Sequence, residues 1–239
     1  MIATPPPITD QARELDSAWS LFLWIGAGVG LLVIVLIAIV VIRDRRRDDV
    51  LPRQIHQHIP LELAYTVLPL LIVAGLFGVT LRTMSGVDDT SDDVDVEIAV
   101  TGYQWQWRFD YVGRDVVEEG SAGVVPELVL PAGARVRFEL TALDVIHSFW
   151  IPGFRFKRDM FPGATTEFEV DVGDTTGFWE NSGACAEFCG LDHHKMMFSV
   201  RVVEPDEFAT WIADHPHGAT TTTTTLTTTS TTSTGGASG

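Results

Sequence analysis

The chain is poor in cysteine, in lysine and in positive charge generally. It has two cysteines and two lysines, and its 16 basic side chains stand against 32 acidic ones, for a net charge of −16. Two cysteines can form one bridge, so a disulfide-stapled scaffold is excluded. Binding to a polyanion needs a basic footprint, so nucleic acid is excluded as a partner. A basic n-region is also missing. Residues 1–18 carry Asp10, Glu14 and Asp16 against a single Arg13, and the apolar run that follows is too long for a secretory signal peptide.

The acidity is unevenly placed. Residues 85–218 hold 25 acidic and 9 basic side chains, net −16, and the remainder holds 7 of each. The neutral part contains two long apolar runs. Trp19 to Ile42 gives 24 residues without a charge, and Leu63 to Leu81 gives 19 between Glu62 and Arg82. At 1.5 Å per residue the first crosses a hydrocarbon core of roughly 30 Å. The second contains Pro69, Gly75 and Gly78, which membrane helices tolerate. The expectation is a transmembrane hairpin: an N-terminal segment at 1–18, helices at 19–42 and 61–83, and a loop at 43–60. That loop carries Arg43, Arg45, Arg46, Arg47 and Arg53, so the positive-inside rule places it in the cytoplasm and both termini outside.

Between about 91 and 213 the apolar period becomes two. Val94 to Ile98, Val136 to Leu140, Phe168 to Val172 and Val200 to Val202 alternate, with Gly, Pro and Asp between them. Short strands so spaced predict an all-β sandwich or barrel, and about 120 residues suffice for one core. A short helix is expected at Pro205–Ala213, with Asp206 and Glu207 in its first turn. Tyr103, Trp105, Trp107, Phe109 and Tyr111 share one parity. They predict a strand with an apolar inner face, with one ring left over for contact with a partner. Residues 218–239 are Thr/Ser/Gly repetition with one large apolar residue, Leu226, and read as a disordered tail and a candidate for O-glycosylation.

Both cysteines fall in one short stretch: Cys185, Glu187, Cys189, His193 and Met196, with His147 lying 38 residues upstream of the first. A Cys185–Cys189 disulfide is one reading, but it leaves the neighbouring histidine and methionine unexplained. Thiolate, imidazole and thioether form a soft donor set that selects copper over magnesium, calcium or manganese. Two thiolates with two imidazoles suit one tetrahedral zinc or two coppers sharing bridging sulfurs, and the methionine favours copper. His194 and Met197 repeat the His-x-x-Met spacing one residue later, so spacing alone leaves the register open. His56, His58, His215 and His217 read as solvated loop residues.

At these residues the chain resembles subunit II of the haem–copper cytochrome c oxidases, with its dinuclear CuA centre. The shared pattern is Cys-x3-Cys-x3-His-x2-Met, and three further segments belong to it. They are Asp144 to Trp150 around His147, Gly102 to Trp107 around Gln104 and Trp105, and Lys157 to Gly163. Glu62, Thr66, Leu68 and Pro69 resemble the start of the family's second helix. The resemblance spans about residues 15–213. It implies a two-helix hairpin followed by a cupredoxin-like Greek-key domain over 91–213. It also implies that Cys185 and Cys189 bridge two coppers, completed by His147 and Met196 on one and by His193 and the Glu187 carbonyl on the other. The Glu187 side chain would reach a magnesium shared with subunit I. Trp105 would receive electrons from cytochrome c or a small copper protein and pass them on to haem in subunit I, where oxygen is reduced. Glu62 would lie near a proton pathway. The register of the resemblance favours His193 and Met196.

The chain departs from the pattern in two places. Phe178 to Gly183 is longer than the usual approach to the first cysteine, and Tyr65 stands where tryptophan is common. No Cys-x-x-Cys-His occurs, so a fused cytochrome c is not expected. A closed ligand set leaves no position for substrate, which argues for an electron relay. Two other functions fit parts of the pattern: the copper subunit of a nitric oxide reductase, and a membrane-tethered copper-binding or delivery protein. Nitrous oxide reductase would need a large further domain. The excess of acid over two lysines also suits a protein from a halophilic prokaryote, hydrated in concentrated salt.

Overall fold

The computed structural model describes residues 5–45, 56–87, 90–91, 93–121 and 123–215. Arg46, Arg47 and Arg53 of the basic loop, His217 and the 218–239 tail lie outside them. Two long helices come first, α1 (Asp10–Arg43) and α2 (Ile59–Val87). Both turn large apolar side chains outward along their length, Trp24 and Leu31 on α1 and Leu63 and Leu70 on α2 among them. That is the surface of a helix made to face lipid or another apolar helix.

α1 begins nine residues before the charge-free run starts at Trp19. The cap decides this. Thr9 is extended, and its hydroxyl accepts from the Ala12 N–H at 3.1 Å. Asp10 then suits the positive end of the helix dipole. α2 is capped by a residue read from sequence as a loop histidine: His58 Nδ1 accepts from the Leu61 N–H, while the His58 N–H donates to the Glu62 carboxylate.

The chain before α1 is strapped onto the β domain. The Ile8 N–H donates to the Gly153 carbonyl at 2.9 Å, and the Gly173 N–H donates to the Ile8 carbonyl at 2.8 Å. Arg155 reaches both oxygens of Asp16 and the Pro5 carbonyl, and Gln11 exchanges two hydrogen bonds with Asp171. These contacts fix the first turns of α1 against the soluble domain.

That domain is a sandwich of two five-stranded sheets. One contains β1 (Val96–Tyr103), β2 (Gln106–Tyr111), β3 (Val116–Glu119), β5 (Arg135–Ala142) and β8 (Thr166–Asp171), in the order β3-β2-β1-β5-β8. The other contains β4 (Glu127–Pro131), β6 (His147–Ile151), β7 (Phe156–Met160), β9 (Gly177–Cys185) and β10 (Met197–Val203), in the order β4-β10-β9-β6-β7. The β1–β5 and β4–β10 pairs are parallel. The inner faces meet in an aromatic core in which Phe149 stacks on Phe198 at 5.0 Å and Trp107 meets both edge-on. The architecture is the predicted one, two apolar helices followed by a β sandwich. α3 (Pro205–Asp214) runs one residue beyond its expected end and lays Phe208 and Trp211 against Tyr111. His215 is exposed, as expected, but its ring is held at the Trp211 carbonyl.

The aromatic run is not one strand. β1 ends at Tyr103, which pairs with Gln106 across a two-residue turn. Facing residues of an antiparallel pair share a face, so Gly102 lies opposite Trp107 and Val100 opposite Phe109. The turn therefore reverses the parity. Trp107, Phe109 and Tyr111 are fully buried, whereas Tyr103 lies on the other face and Trp105 sits in the turn.

The lengthened approach to Cys185 is a bulge. Phe198 pairs with Gly183 and Val200 with Trp179, so three residues of β9 oppose the single Ser199 of β10. Asn181 takes a left-handed φ of 48° there, and its N–H donates to the Ser199 hydroxyl. The extra residues are absorbed before Gly183, and pairing near the site is regular.

Candidate metal centre

Three elements bring the candidate ligands together. β6 opens with His147, β9 ends with Cys185, and Phe149 pairs with Cys185 across the β6–β9 ladder. The loop from β9 to β10 supplies the rest, with a single 3₁₀ turn at His193–Lys195. This is why a histidine 38 residues away in sequence joins the cluster.

Cys185 Sγ and Cys189 Sγ are free thiols 3.8 Å apart, beyond the roughly 2.05 Å of a disulfide. His147 Nδ1 lies 3.7 Å from Cys185 Sγ, and His193 Nδ1 lies 3.6 Å from Cys189 Sγ. Met196 Sδ lies 3.8 Å from Cys189 Sγ, and the Glu187 carbonyl accepts from the Cys185 thiol at 3.1 Å. Donor atoms of His147, Cys185 and Cys189 fall within 4.8 Å of one another, and all three residues are buried. The four other expected donors thus surround the thiol pair. His194 and Met197 do not join them. His194 is exposed, and Met197 begins β10.

The Glu187 side chain sits half-exposed, 3.8 Å from Lys157 Nζ. Glu62 lies at the start of α2, and Tyr65 is exposed one turn further on. Trp105 is partly buried against the site, its indole N–H donating to the Cys189 carbonyl at 3.2 Å.

A surrounding layer holds the ligands in place. Asp144 Oδ1 lies 2.9 Å from His147 Nε2, which leaves Nδ1 facing the sulfurs. Asp144 also accepts from the Gln104 and Val145 N–H groups, both at 2.7 Å. The Gln104 side chain donates to the Cys189 carbonyl at 2.7 Å. The Met196 carbonyl accepts from the Trp107 indole and from the Cys185 N–H. Asp144 and Gln104 carried no role in the sequence reading. Their signals were their places, three residues before a ligand and next to Trp105.

The charges respond to this arrangement. Burial alone would raise the Cys185 thiol, but hydrogen bonds from His147 and from the Ser148 backbone outweigh it and bring its pKa down. Burial and then the neighbouring Cys185 charge push Cys189 up. Burial likewise opposes charge on His147, and the bonds to Cys185 and Asp144 overcome it, so its pKa rises. Asp144 is lowered: burial works against it, and the His147 contact and two backbone N–H groups prevail. The contact between them favours the charged form of both the Cys185 sulfur and the His147 ring. Three sulfurs, two imidazole nitrogens and a carbonyl fit soft metal ions, and the set is larger than the four ligands of a tetrahedral zinc site.

Comparison with known proteins gives the family. Residues 117–203 match the family described as cytochrome c oxidase subunit II, periplasmic domain. A probable cytochrome c oxidase subunit 2 of Streptomyces avermitilis is 33% identical over 253 residues, covering 89% of this chain and 78% of that protein. One from Mycobacterium leprae is 35% identical over 262 residues, covering 83% and 74%. The crystal structure of the periplasmic domain of subunit II of the cytochrome oxidase of Bradyrhizobium japonicum is 32% identical. It covers 53% of this chain and 96% of its own, with a TM-score of 0.47. With its apolar helix pair and its Cys/His cluster in a β sandwich, the chain belongs to the cytochrome c oxidase subunit II family, part of an oxidoreductase complex.

Proposed function

We propose that the chain is the electron-input subunit of a membrane terminal oxidase, with a dinuclear copper centre held by His147, Cys185, Glu187, Cys189, His193 and Met196. The observation that carries this reading is the convergence of four further donors on two thiols 3.8 Å apart. Bound there, the copper pair supplies one-electron storage between an external donor and haem in subunit I. The residues of the chain do the rest. Cys185 and Cys189 would hold the coppers through their sulfurs, and His147 is aimed by Asp144. The buried scaffold of β6, β9 and β10 holds the donors still, which keeps reorganisation small on electron transfer.

Trp105 is the residue through which electrons enter. It lies in the Gln104–Trp105 turn, beside the loops at 143–146 and 188–191, and its indole is one hydrogen bond from the Cys189 backbone. Leu143, Val145, Ile146 and Leu191 are exposed on two of those loops, an apolar rim suited to a soluble donor, either cytochrome c or a small copper protein. The Glu187 carboxylate, beside Lys157, is the candidate for a magnesium shared with subunit I. α1 and α2 cross the membrane and pack on subunit I, with the 43–60 loop in the cytoplasm and the metal domain outside. Glu62 sits near the cytoplasmic end, where a proton path would open.

A copper-delivery role fits less well, because delivery needs an exchangeable, exposed site and His147, Cys185, Cys189 and Met196 are buried. A nitric oxide reductase subunit would share this site, and the identity of the partner's product separates the two. The test is donor oxidation by the intact oxidase at salt concentrations from 0.1 M to 1 M, where the Debye length falls from about 10 Å to about 3 Å. With an apolar rim at Trp105, Trp105→Ala lowers the rate about tenfold or more, and salt changes it little. A wild-type rate in Trp105→Ala, with activity collapsing as salt rises, would transfer docking to the acidic surface and remove Trp105 from the path.

A further inference from the structure

Gln104 touches both ends of the donor set without being a donor. Its backbone N–H donates to Asp144 Oδ2 at 2.7 Å, and Asp144 in turn meets His147 Nε2. Its side-chain amide donates to the Cys189 carbonyl at 2.7 Å, the same oxygen that accepts from the Trp105 indole. One residue therefore ties the histidine from β6 to the cysteine in the β9–β10 loop, in addition to the bond from the Ala186 N–H to the Ser148 carbonyl.

The loop is shaped for this contact. Gly190 follows Cys189 at a φ of +120°, a region closed to most side chains. A Cβ there would stand 3.0 Å from Gln104 Nε2 and 3.3 Å from the Trp105 ring. The glycine brings the loop backbone close enough for both donors to reach one carbonyl. A carbonyl that accepts two hydrogen bonds is held in direction as well as distance, and so is the Cα–Cβ–Sγ arm of the same residue.

Resting on the copper reading above, we propose that Gln104 is a positioning residue for the metal centre. It locks the Cys189 backbone so that the Cys189 sulfur, the Trp105 indole and the His147–Asp144 pair keep one geometry. Removing the amide leaves the Cys189 carbonyl held by the Trp105 indole alone, which loosens the direction of the carbonyl and of the sulfur on the same residue. Groups in this outer layer govern metal retention by about ten- to a hundredfold when removed.

The experiment uses the full chain, solubilised and loaded with copper, as wild type, Gln104→Met and Gln104→Lys. Methionine keeps the length and loses the donor, whereas lysine returns a donor nitrogen of similar reach. Three quantities are read: the rate of copper loss to a chelator, the EPR hyperfine pattern, and thermal unfolding with and without copper. The expected result is about tenfold faster copper loss and an altered hyperfine pattern in Gln104→Met, with both largely restored in Gln104→Lys. Unfolding of the copper-free chain stays close to wild type, because the residue is exposed.

Wild-type copper loss and spectrum in Gln104→Met would overturn the inference. So would an equal drop in stability with and without copper, which would make Gln104 a support of the fold alone. If Gln104→Met fails to fold, Gln104→Asn, whose amide falls one methylene short, gives the same comparison. A wild-type chain that binds no copper would instead refute the metal reading itself, and the two failures are distinct.

Discussion

Asp144 Oδ1 lies 2.9 Å from His147 Nε2, while the other nitrogen of the same ring faces the Cys185 sulfur. The carboxylate selects the tautomer that leaves Nδ1 available as a ligand. Asp144→Ala removes the acceptor for three N–H groups at once. The expected outcome is about ten- to a hundredfold weaker copper retention, measured by chelator competition. Retention unchanged from wild type would mean that β6 alone orients the ring.

The loop register gives a second prediction. His193 Nδ1 and Met196 Sδ point at Cys189 Sγ, whereas His194 is exposed and Met197 belongs to β10. His193→Ala should destroy or strongly perturb the copper spectrum, and His194→Ala should leave it nearly intact. Met196→Leu should move the reduction potential more than Met197→Leu, because a thioether among the donors would tune a copper site. The reverse ranking would shift the loop by one residue.

Packing beneath the site gives a third. A Cβ on Gly183 would overlap the ring of Phe198, which is fully buried and stacked on Phe149. Overpacking of this kind costs about 1–3 kcal/mol. Gly183→Ala should lower the denaturation midpoint accordingly, and Gly183→Ala with Phe198→Leu should recover part of the loss. No recovery in the double variant would place the strain in the β9 backbone.

Beside Trp105, burial and the Glu119 carboxylate that accepts a hydrogen bond from its phenol O–H push Tyr103 from 10.0 up to about 12. A folded value above the unfolded one means that the contribution is complete below pH 10 and is lost as pH rises through about 12. Glu119→Gln should bring the Tyr103 titration down toward 10, read by tyrosine absorbance. A titration that does not move would leave burial as the whole cause.

The parts of this fold legible in the sequence were those with a repeating signal. Two charge-free runs marked α1 and α2, and alternation marked β5, β8 and β10. What escaped were the places where a local device interrupts the repeat. The turn after Tyr103 flips the face of the chain while leaving its parity in sequence unbroken, so five aromatics looked like one strand. The Thr9 cap and the Ile8 strap carry α1 well past its apolar stretch, and nothing in a hydropathy pattern encodes a hydrogen bond to Gly153 or Gly173. At the metal site the donors announced themselves by chemistry and spacing. Asp144 and Gln104 act through backbone N–H and carbonyl groups in the turn after β1 and in the loops before β6 and after β9, and only the packing of the two sheets brings those together.

The most direct test of the account is the copper content and EPR spectrum of the full chain purified with its metal. The account predicts two coppers per chain, with hyperfine coupling to both nuclei in the mixed-valence state, and loss of that signal in Cys185→Ser and in Cys189→Ser. One copper per chain, or tightly bound zinc in its place, would contradict it.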